Sequence, residues 1–283
     1  MDTSAAVRSV RERLGSEAEA RTLVAHVLDV APSRLVLSPG LDAAAMATLD
    51  GLVSRRAAGE PLQHLTGVAH FRTVTVAVGP GVFVPRPETE SMVGWCLDHV
   101  RAGDRVVELC SGSGVVSLAM AAESPGLEQW AVELSPDAVG YLLRNLSGSG
   151  VAAVEADMAV ALPHLDGTGD LVVANPPYVP LEAWESVPAD VRDHDPHLAV
   201  FSGLDGLDAL RVLADAAARL LRPGGVVAAE HAEVQHEAVV ELFGRHGAFD
   251  AVRDHRDLNQ RWRYVTAVRR AGGVGAEESV RGG

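Results

Sequence analysis

The sequence predicts a doubly wound α/β fold behind a small N-terminal helical bundle, on three observations. From Asp104 onward, short apolar runs alternate with helical patterns, the layout of a mostly parallel sheet covered on both faces. Residues 1–60 show only helical periodicity. The chain has 283 residues, 47% hydrophobic and 22% charged, which is enough apolar content for a globular core and too much for a disordered chain.

Each element has its own signal. Val7, Val10 and Leu14 mark a first helix. Ser16 caps a second, with Glu19 completing a capping box and Leu23, Val24, Val27 and Leu28 following on one face. A third runs from Asp42 to Arg56, and the three apolar faces need a shared core. Residues 71–78 alternate as one strand, which Gly79-Pro80-Gly81 ends. Strands follow at 106–109, 130–134, 151–156, 171–175 and 226–230, interleaved with helices at 115–123, 136–146, 206–221 and 233–246. Strands near 249–255 and 262–269 share a short polar turn, so they predict an antiparallel hairpin at one edge. From Ala271 the chain is rich in Gly and is expected to be disordered. The expected divisions are a helical domain at 1–66, a linking strand or hairpin at 67–101, the α/β domain at 102–270 and a tail at 271–283.

Charge and composition narrow the function. The net charge is −14; residues 1–100 hold 9 arginines against 11 acids, and residues 101–283 hold 15 against 27. A polynucleotide-binding surface shows the opposite balance, so nucleic acid is disfavoured as a partner. Cys96 and Cys110 lack the spacing of a zinc site, so neither a metal nor a disulfide framework is implied. His194-Asp195-Pro196-His197 lacks a third ligand and reads as a solvated loop, like the nearby acids Glu182, Glu185, Asp190 and Asp193. The N-terminus has no apolar stretch of the signal-peptide kind and no long apolar run occurs, so the expectation is a cytoplasmic monomer away from membranes.

Two turns carry the chemistry. The strand VVEL runs into Cys110-Ser111-Gly112-Ser113-Gly114 and then a helix, with glycines that let the backbone pass close to a ligand. The spacing is not the GxGxxG of a dinucleotide fold. It resembles the S-adenosylmethionine (SAM) loop of class I methyltransferases, with Cys110 at the first Gly position. Glu133 ends the next strand, where a carboxylate can accept two hydrogen bonds from ribose hydroxyls. By the same likeness, Asp157 and Met158 would meet the edge and face of adenine, although Asp157 equally suits a turn cap. The sharper pattern is Asn175-Pro176-Pro177-Tyr178 after LVVA. Its prolines cannot continue the ladder and hold the turn extended. The Asn175 oxygen and the Pro176 carbonyl can then accept both hydrogens of one planar NH2 group, aiming its nitrogen at a methyl donor, while Tyr178 covers the planar group. Such a site fits a glutamine amide or an adenine amino group in DNA or RNA. The acidic balance of residues 101–283 favours the protein, since adenine must be held on a polynucleotide and flipped.

Around these turns the chain resembles the HemK/PrmC family, the peptide chain release factor glutamine methyltransferases. The likeness includes SRRAAGEPLQHLTG at 54–67, GPGVFVPRPETE at 79–90, Leu204-Asp205-Gly206-Leu207 and Leu221-Arg222-Pro223-Gly224-Gly225. It implies a Rossmann-like class I methyltransferase sheet, SAM as cofactor with S-adenosylhomocysteine as product, no metal, and methylation of the Gln in the factors' Gly-Gly-Gln motif. It further implies SAM contacts from Cys110 to Gly114 and at Glu133, Met158 and Asn175, and a substrate site at Asn175, Pro176, Pro177 and Tyr178. Arg86 and Glu88 would line the mouth, holding substrate or ordering the loop. The family pattern has Gly-Thr at Cys110-Ser111, Asp more often than Glu at 133, and an aromatic at Met158.

Overall fold

The computed structural model describes residues 1–271, so the expected disorder of the tail beyond Ala271 lies outside the described residues. Three helices lead the chain, Thr3–Leu14 (α1), Glu17–Val27 (α2) and Ala43–Ala57 (α3), followed by the short Leu62–Thr66 (α4). Asp2, Ser16 and Asp42 cap the first three, each accepting a backbone N–H three residues on. The capping box at Ser16 is only half made. Ser16 Oγ accepts the Glu19 N–H, but the Glu19 carboxylate reaches to α3, where Arg56 Nε and Nη2 donate to it at 2.9 Å each. A forked, charge-assisted pair outcompetes one neutral N–H. Val7, Val10, Leu23, Val24, Leu49, Val53 and Leu65 form the bundle core.

Where the alternation over 71–78 predicts one strand, the structure has a hairpin of Val68–Phe71 (β1) and Val74–Ala77 (β2). Arg72 turns it at φ 49°, without the Gly or Asn that marks such turns in a sequence. Tertiary contacts hold the turn, as the Arg72 guanidinium pairs with Glu123 at 2.7 and 2.9 Å.

After Thr89–Leu97 (α5) the α/β alternation begins: Arg105–Leu109 (β3), Val115–Glu123 (α6), Glu128–Glu133 (β4), Pro136–Leu146 (α7), Ala152–Glu155 (β5) and Gly169–Ala174 (β6). Two short helices, Ala189–His194 (α8) and His197–Val200 (α9), precede Asp208–Leu220 (α10). Leu221–Glu230 (β7), His236–Arg245 (α11), Phe249–Arg256 (β8) and Trp262–Arg269 (β9) complete the described chain. The sheet order is β5-β4-β3-β6-β7-β9-β8, parallel as far as β7, with the predicted antiparallel hairpin at the edge. One face buries Val107, Val172, Val227 and Val265 under α10 and α11; the other buries Val106, Leu171 and Ala228 with α5, α6 and the β1–β2 hairpin. Among the described residues no helix is long and apolar enough to cross a membrane.

The sheet order reverses direction between β3 and β6, and in open α/β sheets ligands bind outside the strand C-termini at such a point. Register places the residues there. Val154, Val132, Leu109, Ala174 and Ala229 pair in one row across five parallel strands. The next residue along each strand therefore reaches the same rim: Glu155, Glu133, Cys110, Asn175 and Glu230.

Candidate active site

On this rim lies a cavity of about 580 Å³. Its wall includes Cys110 to Ser113, Glu133, Asp157, Met158, Asn175 to Tyr178 and Arg86, so most of the sequence-predicted residues meet there. Gly114 and Glu88 do not line it. Gly114 heads α6 at φ 78°, and a Cβ there would stand 2.6 Å from Leu142 Cδ1, so this glycine lets α6 pack on α7. Glu88 already has helical angles at the start of α5, which turns successive side chains about 100° apart. Its neighbour Thr89 occupies the wall instead.

The loop after β3 takes its shape from its own chemistry. Cys110 holds φ 56°, the left-handed region where a glycine is free of strain. The single Ser111 hydroxyl proton has two carbonyl acceptors in reach, Glu108 at 3.2 Å and Val132 at 3.1 Å. Gly112 N–H donates to Glu133 Oε2 at 2.7 Å, and Oε1 accepts the Leu134 and Ser135 amides at 2.9 and 2.8 Å. Three backbone donors thus aim the carboxylate, two of them entering α7, where negative charge is favoured. Asp157 Oδ1 accepts the Ala159 N–H at 2.9 Å, so it makes the turn cap while still facing the cavity. Met158 Sδ lies 3.7 Å from Cys110 Sγ, and Leu134, half exposed, adds apolar surface to the wall.

Glu108, in the wall but absent from the predicted site, is buried beneath the loop. Its carboxylate accepts the Ser117 amide at 2.9 Å and the Ser117 hydroxyl, tying β3 to the first turn of α6. Burial, only partly offset by these bonds, pushes its carboxyl up to about 8.

At the other side of the cavity, Asn175 Nδ2 donates to Thr89 Oγ1 at 3.2 Å, and the Thr89 hydroxyl donates to Glu230 Oε2 at 2.6 Å. Tyr178 donates its hydroxyl to Glu230 Oε1 at 3.3 Å, and its backbone carbonyl accepts from Gln235 Nε2 at 2.8 Å. Burial, with Glu230 nearby, raises the Tyr178 phenol above its ordinary value. No described residue donates to Asn175 Oδ1, which is left as an acceptor.

Asp195 departs from the solvated loop expected of it. It is 4% exposed, and its carboxylate takes the Val84 N–H at 3.3 Å and the Arg86 guanidinium. Arg86, whose guanidinium carbon also lies 5.0 Å from the Phe83 ring centre, thereby ties the segment before α5 to the segment after Tyr178. Burial outweighs that ion pair and leaves the Asp195 carboxyl above its ordinary value.

Glu108, Leu134 and Glu230 are among the wall and network residues that motif reading missed, while Thr89 falls inside the matched segment 79–90 but received no role of its own there. A usable signal existed for Glu230: it ends VVAA as Glu133 and Asn175 end their own apolar strands.

Fold and site together define a methyltransferase of the doubly wound α/β kind. The family profile described as methyltransferase small domain matches residues 75–186, and that of the PrmC N-terminal domain matches 5–67. A methyltransferase structure from Pyrococcus furiosus has the same fold at TM-score 0.50, with 18% identity, covering 69% of this chain and 89% of that one. The release factor glutamine methyltransferase of Streptomyces coelicolor is 54% identical, covering 76% of this chain and 78% of its own. That of Mycolicibacterium smegmatis is 44% identical, covering 89% and 90%. The chain belongs to the release factor glutamine methyltransferase family.

Proposed function

We propose that this protein transfers a methyl group from SAM to the side-chain amide nitrogen of the Gln in the Gly-Gly-Gln motif of peptide chain release factors, tuning termination. One observation carries the reading: Asn175 Nδ2 is tied to Thr89, which leaves Oδ1 as an acceptor in a cavity that Pro176 also lines, so that Oδ1 and the Pro176 carbonyl are the acceptors proposed for one NH2 group.

The cofactor wall fits a nucleoside carrying a positive sulfonium. A Cβ at Gly112 would meet nothing within 4 Å, so a ligand can lie against that backbone. Glu133 suits the ribose hydroxyls; three of about four carboxylate lone-pair sites are already taken, so the Gly112 N–H shares its oxygen when a diol arrives. Leu134 and Met158 offer apolar contact to adenine, with Asp157 at its edge. Cys110 to Ser113 supply backbone near the methionine part.

Bound SAM supplies the methyl on its sulfonium sulfur. Asn175 Oδ1 and the Pro176 carbonyl accept the two amide hydrogens and draw the nitrogen lone pair out of conjugation, toward that methyl. Pro176 and Pro177 keep both acceptors still, and Tyr178 covers the planar amide. The amide nitrogen gains the methyl as the methyl's bond to sulfur breaks, leaving S-adenosylhomocysteine as a neutral thioether, and the nitrogen, acidic while positive, then gives one proton to solvent, so no base acts before transfer. Arg86 orders the mouth through Asp195. Residues 1–66 hold the body of the factor, residues 67–101 link them to the catalytic part at 102–270, and the enzyme works as a monomer in the cytoplasm.

The test is incubation with labelled SAM and, separately, purified release factor, DNA and RNA. Label on the factor's glutamine supports the reading. Label on adenine of DNA or RNA instead, or on nothing, overturns it.

A further inference from the structure

The Asn175 side chain ends in an oxygen and an NH2 of similar size, and only one orientation offers an acceptor to a substrate amide. The rigid backbone of Pro176 and Pro177 does not choose between them. The choice is made across the sheet rim. Glu230 ends β7 beside β6 and is 1% exposed, and its Oε2 accepts the Thr89 hydroxyl at 2.6 Å. A threonine hydroxyl has one proton. With that proton given to the carboxylate, the Thr89 oxygen can only accept from its other neighbour, and it takes Asn175 Nδ2 at 3.2 Å. We propose that Glu230, acting through Thr89, sets the hydrogen-bond polarity of Asn175 and so commits the Asn175 oxygen to the substrate NH2. Both are positioning residues, and the inference rests on the methyl-transfer reading above. The other Glu230 oxygen takes the Tyr178 hydroxyl at 3.3 Å, so one buried carboxylate orients both polar side chains of the Asn-Pro-Pro-Tyr turn.

The relay has a direction only while Glu230 is ionised. A protonated Glu230 can donate to Thr89, which frees the Thr89 proton to turn toward Asn175. The flipped amide then becomes favourable, with its NH2 facing a substrate NH2, donor against donor. Four groups act on the carboxylate: Thr89 from α5, Tyr178 after β6, Arg263 from β9 and Glu88 before α5. Burial raises its proton affinity, Glu88 adds to this, and Thr89, Arg263 and Tyr178 oppose it, with a net upward result. The acidic limb of the methylation rate therefore lies above the range where an exposed glutamate titrates.

The experiment compares wild type, Thr89→Ser, Thr89→Val and Glu230→Gln for kcat and KM on purified release factor across pH, for SAM affinity by calorimetry, and for thermal unfolding. Thr89→Val is expected to lower kcat roughly ten- to hundred-fold with SAM affinity unchanged, because a misoriented acceptor no longer meets the developing charge. Thr89→Ser, which keeps the hydroxyl, recovers most of the rate, and Glu230→Gln loses the acidic limb. Wild-type kcat in Thr89→Val, or a wild-type acidic limb in Glu230→Gln, overturns the relay. The side-chain amide protons of Asn175, followed by NMR in the free enzyme, read the relay without substrate. They shift with pH in wild type and stay constant in Glu230→Gln; amides indifferent to pH in wild type overturn the relay even if the factor is methylated. Amides that respond while the factor takes no methyl support the relay and overturn the substrate reading.

Discussion

Asn175 and Glu133 stand on one rim, and in the proposed reaction they serve different partners, so their variants separate the two roles. Asn175→Ala removes the proposed acceptor for the reacting amide, so kcat is expected to fall about 10²- to 10³-fold, far more than the SAM affinity read by calorimetry. Glu133→Ala removes the proposed ribose acceptor and frees the Gly112 amide, so SAM affinity is expected to fall first, by roughly ten-fold or more. Glu108 makes a pH prediction. Its folded carboxyl is raised from 4.5 to about 8, so its contribution is fully present below pH 4.5 and is lost as pH rises through about 8. Thermal unfolding is expected to show stability declining across that window, with Glu108→Gln flattening the decline. Residues at this scale are legible in the sequence when a motif marks them, as Asn175 to Tyr178 are. Glu230 and the role of Thr89 escape because their partners come from strands and helices 86 and 141 residues apart in sequence.

The loop and helix that follow β3 depend on one close approach. Gly114→Ala forces a side chain onto left-handed backbone and a Cβ into Leu142 of α7, which is fully buried. A loss of about 1–3 kcal/mol is expected, read as a lower Tm, with Gly112→Ala costing less because open space surrounds it. Elements differ in how far their sequence announces them. The parallel strands and long helices are plain from periodicity, because each buries a continuous apolar face. The β1–β2 turn is invisible because Arg72 adopts it under the pull of Glu123 on α6. The half-made capping box at Ser16 has the same origin, in an Arg56 that arrives from α3.

The whole molecule is joined across its mouth by Arg86 and Asp195, 109 residues apart. Arg86→Met is expected to leave the buried Asp195 carboxylate with only the Val84 amide, costing about 1–3 kcal/mol once the partial exposure of Arg86 is allowed for. The Asp195 carboxyl is already raised above 3.8, and losing the cation raises it further. Neutralising it relieves the penalty, so the stability gap to wild type narrows as pH falls; a gap in Tm that widens in acid would contradict this account. The sequence by itself determined the α/β alternation, the helical lead, the two chemical turns and the acidic balance that favours a protein substrate, because each is written in local periodicity, turn residues or charge count. Tertiary structure alone decided that five strand ends share one rim, that Gly114 serves packing, that Asp195 is buried on Arg86, and that Glu230 and Thr89 orient Asn175. Those outcomes depend on strand register and on which buried polar groups find partners, and both are properties of segments brought together from distant parts of the chain.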